Sequence, residues 1–219
     1  SPETGVASAE FAPTMDYYLL NYSNVTTPPC YKIYNGKGKE LRVIEDNASY
    51  ANKYIAVPTK EFFTFDNSGI TLNGYVIKPS NFNPSTKYPV IMSQYSGPGS
   101  QEVLNRWRID WDCYFAQQGY IVVCVDGRGT GGRGKEFESI VYKRLGYYET
   151  IDQIAAANYI VSLPYVDANR IGIYGWSYGG YETLMAISDK KTPYAAAVAV
   201  APVTDWRYYD TVYAERYML

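Results

Sequence analysis

The alternation of apolar and polar positions changes rhythm near Pro58. Up to about residue 57 the chain reads as short β segments punctuated by turns. MDYYLLNYS is followed by TTPP, then by CYKIYNGKGKELRVI, in which Asn35-Gly36 and Lys37-Gly38 supply hairpin-type turn residues. This pattern predicts the end of an all-β unit over 1–58, with a boundary after the polar stretch EDNASYANK. From Glu61 onward FFTFD (62–66) and LNGYVIKP (72–79) predict two antiparallel strands. YPVIMSQY (88–95) and YIVVCVD (120–126) are continuous apolar runs of the kind buried on both faces of a parallel sheet.

Between those two runs, EVLNRWRIDWDCYFAQQG (102–119) has helical length and ends on a glycine suited to a C-terminal cap, which predicts a βαβ unit. A second helix is expected over 149–162, with Ile151, Ile154, Ala155 and Tyr159 on its apolar face and Pro164 beyond its end. RIGIYG (170–175) then reads as a strand, YETLMAIS (181–188) as a helix and YAAAVAVA (194–201) as another strand. Strand and helix alternate, so residues 59–219 predict an α/β domain with a mostly parallel sheet and helices on both faces.

Composition narrows the chemistry. With 219 residues and 47% hydrophobic content the chain can bury a sizeable core. Twenty basic and 22 acidic residues, evenly spread, offer no patch for nucleic acid or an anionic membrane. No apolar run approaches the roughly 18 to 20 residues that a membrane span needs, and the start SPETGVASAEF lacks a signal peptide's charged and apolar regions. Cys30, Cys113 and Cys124 are odd in number and lack metal-ligand spacing, so neither a disulfide framework nor a metal site is expected. The N-x-S/T matches at Asn21, Asn24 and Asn47 carry meaning only in a eukaryotic secretory host. The glycine-rich stretch Asp126-Gly127-Arg128-Gly129-Thr130-Gly131-Gly132 has neither the dinucleotide nor the P-loop spacing, so it reads as a strand-exit loop and no cofactor is expected.

Gly175-Trp176-Ser177-Tyr178-Gly179-Gly180 matches G-x-S-x-G at a strand-to-helix junction, the setting of a nucleophile elbow. Only small neighbours two residues to either side permit that sharp turn, and Gly175 and Gly179 occupy those places. The alternative is a turn whose serine merely caps the helix. An acyl-transfer site needs two donors aimed at the developing oxyanion. The Tyr178 backbone N–H is one by geometry. The second should come from Gln94-Tyr95-Ser96-Gly97-Pro98-Gly99 after the strand 88–95, and the Tyr95 hydroxyl is the candidate there. In a chain with 25 tyrosines, a tyrosine that simply packs at a strand end is an equally open reading. The chain contains no histidine, so the usual general base for such a serine is not among these residues.

Four blocks, VIMSQYSGPGSQ (90–101), DGRGTGGRG (126–134), GWSYGGY (175–181) and APVTDWRYYDTVYAERYM (201–218), resemble in order the prolyl oligopeptidase family, specifically its dipeptidyl peptidase IV branch in Bacteroidetes-like bacteria. The resemblance implies that 1–58 are the last part of an eight-bladed β-propeller and 59–219 the first two-thirds of an α/β-hydrolase catalytic domain. It implies a serine exopeptidase that releases N-terminal Xaa-Pro, and less well Xaa-Ala, dipeptides through an acyl-enzyme. Ser177 would be the nucleophile, with the Tyr178 N–H and Tyr95 hydroxyl as oxyanion hole. Tyr178, Val203, Trp206, Tyr209 and Tyr213 would line the proline pocket, with Tyr209 also helping to hold the free amine. On the residues alone, Trp206, Tyr209 and Tyr213 read first as ordinary core packing.

In this fold the acid and histidine follow the serine along the chain, and the resemblance leaves the family's Asp and His without positions here. Asp205 and Asp210 belong to the pocket segment, and neither is expected to be the triad acid. The 219 residues alone are therefore expected to be inactive. A related prolyl tripeptidyl peptidase, acylaminoacyl peptidase or endopeptidase is the nearest alternative, and a non-catalytic binding relative of the same fold is another. The family further implies a homodimer in the full-length parent and a periplasmic, cell-surface or secreted location.

Overall fold

The computed structural model describes residues 4–54 and 56–219. The first three residues of SPETGVASAEF, and Ile55 just before the expected boundary, lie outside them. The described chain divides into two compact units, one of residues up to Thr59 with Leu104–Cys113, the other of Lys60–Val103 with Tyr114–Leu219.

The first unit carries an antiparallel meander in the order β1 (Val6–Phe11), β2 (Tyr17–Ser23), β3 (Cys30–Asn35) and β4 (Glu40–Glu45). Aromatic side chains fix its register. Phe11 faces Tyr18 and Tyr18 faces Tyr34 across three strands, with ring centroids 5.0 and 5.3 Å apart. At the β3–β4 turn Asn35 donates its backbone N–H to Lys39 and accepts from Gly38. The first strand, built largely of small residues, and a short helix α1 (Ala48–Ala51) were not anticipated from the sequence pattern.

In the second unit six strands form one mixed sheet, ordered from edge to edge β10 (Ala196–Val200), β9 (Val166–Trp176), β7 (Tyr88–Ser93), β8 (Ile121–Asp126), β6 (Ile70–Ile77) and β5 (Lys60–Asn67). The last two strands in that order run antiparallel as expected, and the other four are mutually parallel. Every residue of β8 is buried, as the apolar run 121–125 requires, and so is Asp126 at its end. Its neighbour β7 alternates instead, with Val90 and Met92 buried and Ile91 and Ser93 half-buried. Leu72, Ile77, Met92, Val122, Ile171 and Ile173 are all at or below 2% exposure, each contributing about 1.5–3 kcal/mol by leaving water.

Helix α2 (Trp111–Gln117) is much shorter than the 18 residues expected from 102–119. The Asp126 carboxylate accepts the backbone N–H groups of Glu102 and Val103, which ties the start of the segment in an extended path. The helix begins only where Asp110 accepts the Asp112 N–H. It ends as expected, with Gly119 in the left-handed region at φ 92°. Beyond the short α3 (Lys135–Ser139), α4 (Tyr147–Val161) lies close to its expected range, but the buried face differs. Ile154 is buried, Ala155 and Tyr159 are half-buried, and Ile151 is exposed. The first two turns bury Glu149, Thr150, Asp152 and Gln153 instead, because these side chains find hydrogen-bond partners at Tyr178, Gly146, Arg128 and Val125 respectively rather than filling the hydrophobic layer. Helix α5 (Tyr178–Ser188) packs on α4, β9 and β10. A short 3-10 turn (Trp206–Tyr208) and α6 (Thr211–Met218) follow β10. Mixed sheet, elbow helix and preceding antiparallel strands make this an α/β-hydrolase fold preceded by propeller-type β structure.

Candidate active site

Ser177 stands between the end of β9 and the start of α5 with φ 58° and ψ −115°, outside the ordinary regions for an L-residue. Such a backbone costs about 1–3 kcal/mol and persists only when its surroundings fix it. They do so here. The Ser177 N–H donates to Val200 and its carbonyl accepts from Tyr181, so the residue is held at the sheet and at the helix. A Cβ on Gly175 would fall on the Gly179 carbonyl and 2.5 Å from the Gln94 side chain, and one on Gly179 would lie 2.5 Å from the Gln94 carbonyl oxygen. The elbow closes because both side chains are missing. At the head of α5 the Tyr178 N–H has no acceptor one turn back within the helix, so it is free to point at an anion.

Tyr95 follows directly after the strand ladder, which extends to the bond from the Gln94 N–H to Tyr174. Its ring stands 6.2 Å from that of Tyr178, and its hydroxyl meets the Ser177 side chain. Burial raises the phenol's pKa, with hydrogen bonding to Ser177 opposing. At neutral pH the group is therefore a protonated donor. The structure brings the two candidate oxyanion donors and the serine together.

Trp206, Tyr209, Tyr213 and Tyr217 gather at the same place. Trp206 lies 5.5 Å from Tyr178 and is stacked at 5.5 Å on Tyr213, and Tyr209 closes edge-on against both at 5.7 and 5.4 Å. Tyr209 is exposed at the rim. Val203 is half-buried but is not among the side chains packed on this cluster. Two members escaped the sequence reading: Tyr181, which donates to the Leu145 carbonyl, and Tyr217, at 4.8 Å from Tyr213. Both stand at helical spacing from residues that were singled out, which was the available signal. Asp205 and Asp210 are engaged as helix caps, accepting from the Arg207 and Tyr213 N–H groups respectively. The Arg207 side chain also holds the Asp205 carboxyl at about 2.

Behind the elbow lies a buried acidic layer. The Tyr178 hydroxyl donates to Glu149 at 2.7 Å. Burial pushes the Glu149 carboxyl up to about 7, against the lowering effect of that bond. Glu182, fully buried on α5 with neither carboxyl oxygen hydrogen-bonded, is raised well above its ordinary range by burial and then by Glu149. Deeper in, Asp152 accepts from the Arg128 backbone and guanidinium and from Asn67, locking the loop after β8. The sign of the Glu182 effect is testable. An unfolded chain ionises this group near its ordinary pKa, whereas the folded chain keeps the proton, so stability is full below that value and declines as pH rises toward the folded pKa. Glu182→Gln in the whole protein should therefore raise the thermal midpoint of the catalytic domain more at pH 8 than at pH 5. A difference that does not change with pH would show that Glu182 does not titrate in this way.

The prolyl oligopeptidase family model matches residues 107–219. Over 99% of its length the chain is 43% identical to a probable dipeptidyl-aminopeptidase B of Emericella nidulans, and over 98% it is 44% identical to dipeptidyl-aminopeptidase B of Aspergillus niger. It spans about a quarter of those proteins, 24% in each case. Among solved structures, dipeptidyl peptidase 4 of Porphyromonas gingivalis superposes with a TM-score of 0.96 at 49% identity, over 100% of this chain and 32% of the other. A putative dipeptidyl aminopeptidase IV of Bacteroides ovatus gives 0.88 at 34% identity, over 99% and 31%.

Proposed function

This chain belongs to the prolyl oligopeptidase family, and from that premise we propose that it carries the nucleophile half of a serine exopeptidase that removes N-terminal Xaa-Pro, and less well Xaa-Ala, dipeptides. The observation that carries this reading is the strained Ser177 backbone with the Tyr95 hydroxyl against its side chain. Relatives named dipeptidyl peptidases support release of dipeptides over release of tripeptides or internal cleavage.

In this reading the Ser177 hydroxyl attacks the carbonyl carbon of the second residue and gives its proton to a base outside these 219 residues, which contain no histidine. The tetrahedral oxyanion receives hydrogen bonds from the Tyr178 N–H and the Tyr95 hydroxyl. The intermediate collapses as the base returns that proton to the leaving nitrogen, expelling the rest of the peptide as a neutral amine. That leaves the dipeptide esterified to Ser177, and water then releases it. Residues 1–58 serve as the last part of a propeller and 59–219 as the first two-thirds of the catalytic domain. Alone, they do not turn over substrate. The parent protein acts as a homodimer in the periplasm, at the cell surface or outside the cell.

The pocket reading assigns Tyr178, Val203, Trp206, Tyr209 and Tyr213 to the proline ring. A flat apolar ring suits stacked aromatic walls, and opening one wall should weaken selectivity before chemistry. Tyr213→Ala in the whole protein is expected to lower the ratio of kcat/KM for Gly-Pro over Gly-Ala chromogenic substrates by about tenfold, roughly 1.4 kcal/mol of differential transition-state binding. An unchanged ratio with a uniformly slower reaction would make Tyr213 a packing residue.

A further inference from the structure

The Tyr95 hydroxyl can serve an oxyanion only if its ring is held in one place, yet the ring belongs to a loop, where side chains ordinarily move. Two features restrain it.

The first is a missing side chain. A Cβ built on Gly97 would fall on the Tyr95 ring at Cε1, within 3.0 Å of Cδ1 and 3.2 Å of Cζ. Gly97 is buried and does not have a positive φ, so nothing in its own backbone demands glycine. What demands it is the phenol ring folded over it.

The second is a buried polar clamp on the residues either side of Tyr95. The Gln94 side-chain amide donates to the Gly179 carbonyl of the elbow at 2.7 Å and to the Thr183 hydroxyl at 3.1 Å. Its carbonyl accepts from the Ser96 hydroxyl at 2.9 Å. The Gln153 amide reaches across from α4 to the Ser96 oxygen at 3.1 Å and to the Val125 carbonyl at 2.9 Å. Ser96 itself sits at φ 61°, a conformation that these bonds hold. Gln94, Ser96 and Gln153 are all nearly or fully buried. The backbone is thus tied to the nucleophile helix on one side and to β8 on the other, so an obstructed Tyr95 ring has to turn rather than carry its loop away.

We infer that Gly97 is a positioning residue for the reaction, the seat of the Tyr95 ring, and that the Gln94–Ser96–Gln153 clamp holds that seat in register with Ser177. The inference rests on the oxyanion-hole reading of Tyr95. A ring turned by about 1 Å at the reacting centre loses on the order of 10²-fold in rate, and that loss passes entirely through the hydroxyl.

The test is a double-mutant cycle in the whole protein, assayed on a Gly-Pro chromogenic substrate with Gly97→Ala, Tyr95→Phe and the pair. Gly97→Ala is expected to lower kcat by about 10²-fold with KM changed less than about threefold. In the Tyr95→Phe background the same substitution should change kcat less than about threefold, because there is no hydroxyl left to misplace. Near-ultraviolet circular dichroism establishes that each variant is folded. Should Gly97→Ala not fold, Ser96→Ala replaces it in the same cycle, with an expected loss of about tenfold that likewise vanishes beside Tyr95→Phe. If the folded variant keeps kcat within threefold, or if its loss multiplies with that of Tyr95→Phe, the inference is overturned while the oxyanion reading stands. A Tyr95→Phe protein with unchanged kcat removes both.

Discussion

Ser177→Ala in the whole protein is expected to reduce turnover of Gly-Pro substrates by roughly 10⁴- to 10⁶-fold, the loss seen when a serine that forms the acyl-enzyme is removed. The oxygen that becomes the ester is gone, and Tyr178 N–H and Tyr95 are left to stabilise an oxyanion that only adventitious water can generate. Binding should survive. The neighbouring wall of Tyr178, Trp206 and Tyr213 is packed through contacts that do not involve the serine side chain, and alanine occupies the strained φ of 58° no worse than serine does. A product-like dipeptide inhibitor should therefore bind the variant within about threefold of the original affinity, since no binding group is removed. A loss of turnover below 100-fold would place the nucleophile elsewhere.

Tyr95→Phe is expected to lower kcat by about 10²–10³-fold, or roughly 2.7–4 kcal/mol, with little change in KM, the usual result of deleting one oxyanion donor. Phenylalanine keeps the ring in contact with Tyr178 and over Gly97, so the substitution isolates the hydroxyl. Because burial raises the Tyr95 pKa, its ionisation should leave no inflection in the pH–rate profile near neutrality. A KM that rises while kcat is unchanged would make Tyr95 a substrate-binding group.

What could be read beforehand, and what could not, divides along physical lines. The elbow was legible because its geometry forbids alternatives. Glycines at 175 and 179 leave room for backbone atoms that approach within contact distance, and an apolar strand precedes them. Strand β8 was legible because a strand buried on both faces has to be apolar throughout. The segment 102–110 was not, since its start is anchored by the carboxylate of Asp126, many residues away, which accepts the Glu102 and Val103 N–H groups and which no local window contains. The buried side of α4 was misread for a related reason. Periodicity counts apolar residues, and Asp152, Gln153 and Glu149 are buried by virtue of partners at Arg128, Ser96 and Tyr178 that no local window contains. Tyr95 and the 206–213 aromatics fall between these cases. Their family motif pointed to the site, whereas the residues alone left Tyr95 open and favoured core packing for Trp206, Tyr209 and Tyr213; the ring contacts gather them beside Tyr178, the neighbour of Ser177.

The most direct test of the central claim is covalent. The whole protein, treated with a fluorophosphonate and digested, should yield a single modified peptide containing Ser177, with labelling blocked by a Gly-Pro substrate and absent from Ser177→Ala. Only a serine activated by a working base reacts at a useful rate. An unlabelled Ser177 in folded protein that still cleaves peptides, or a label on a different serine that tracks activity, would contradict the account.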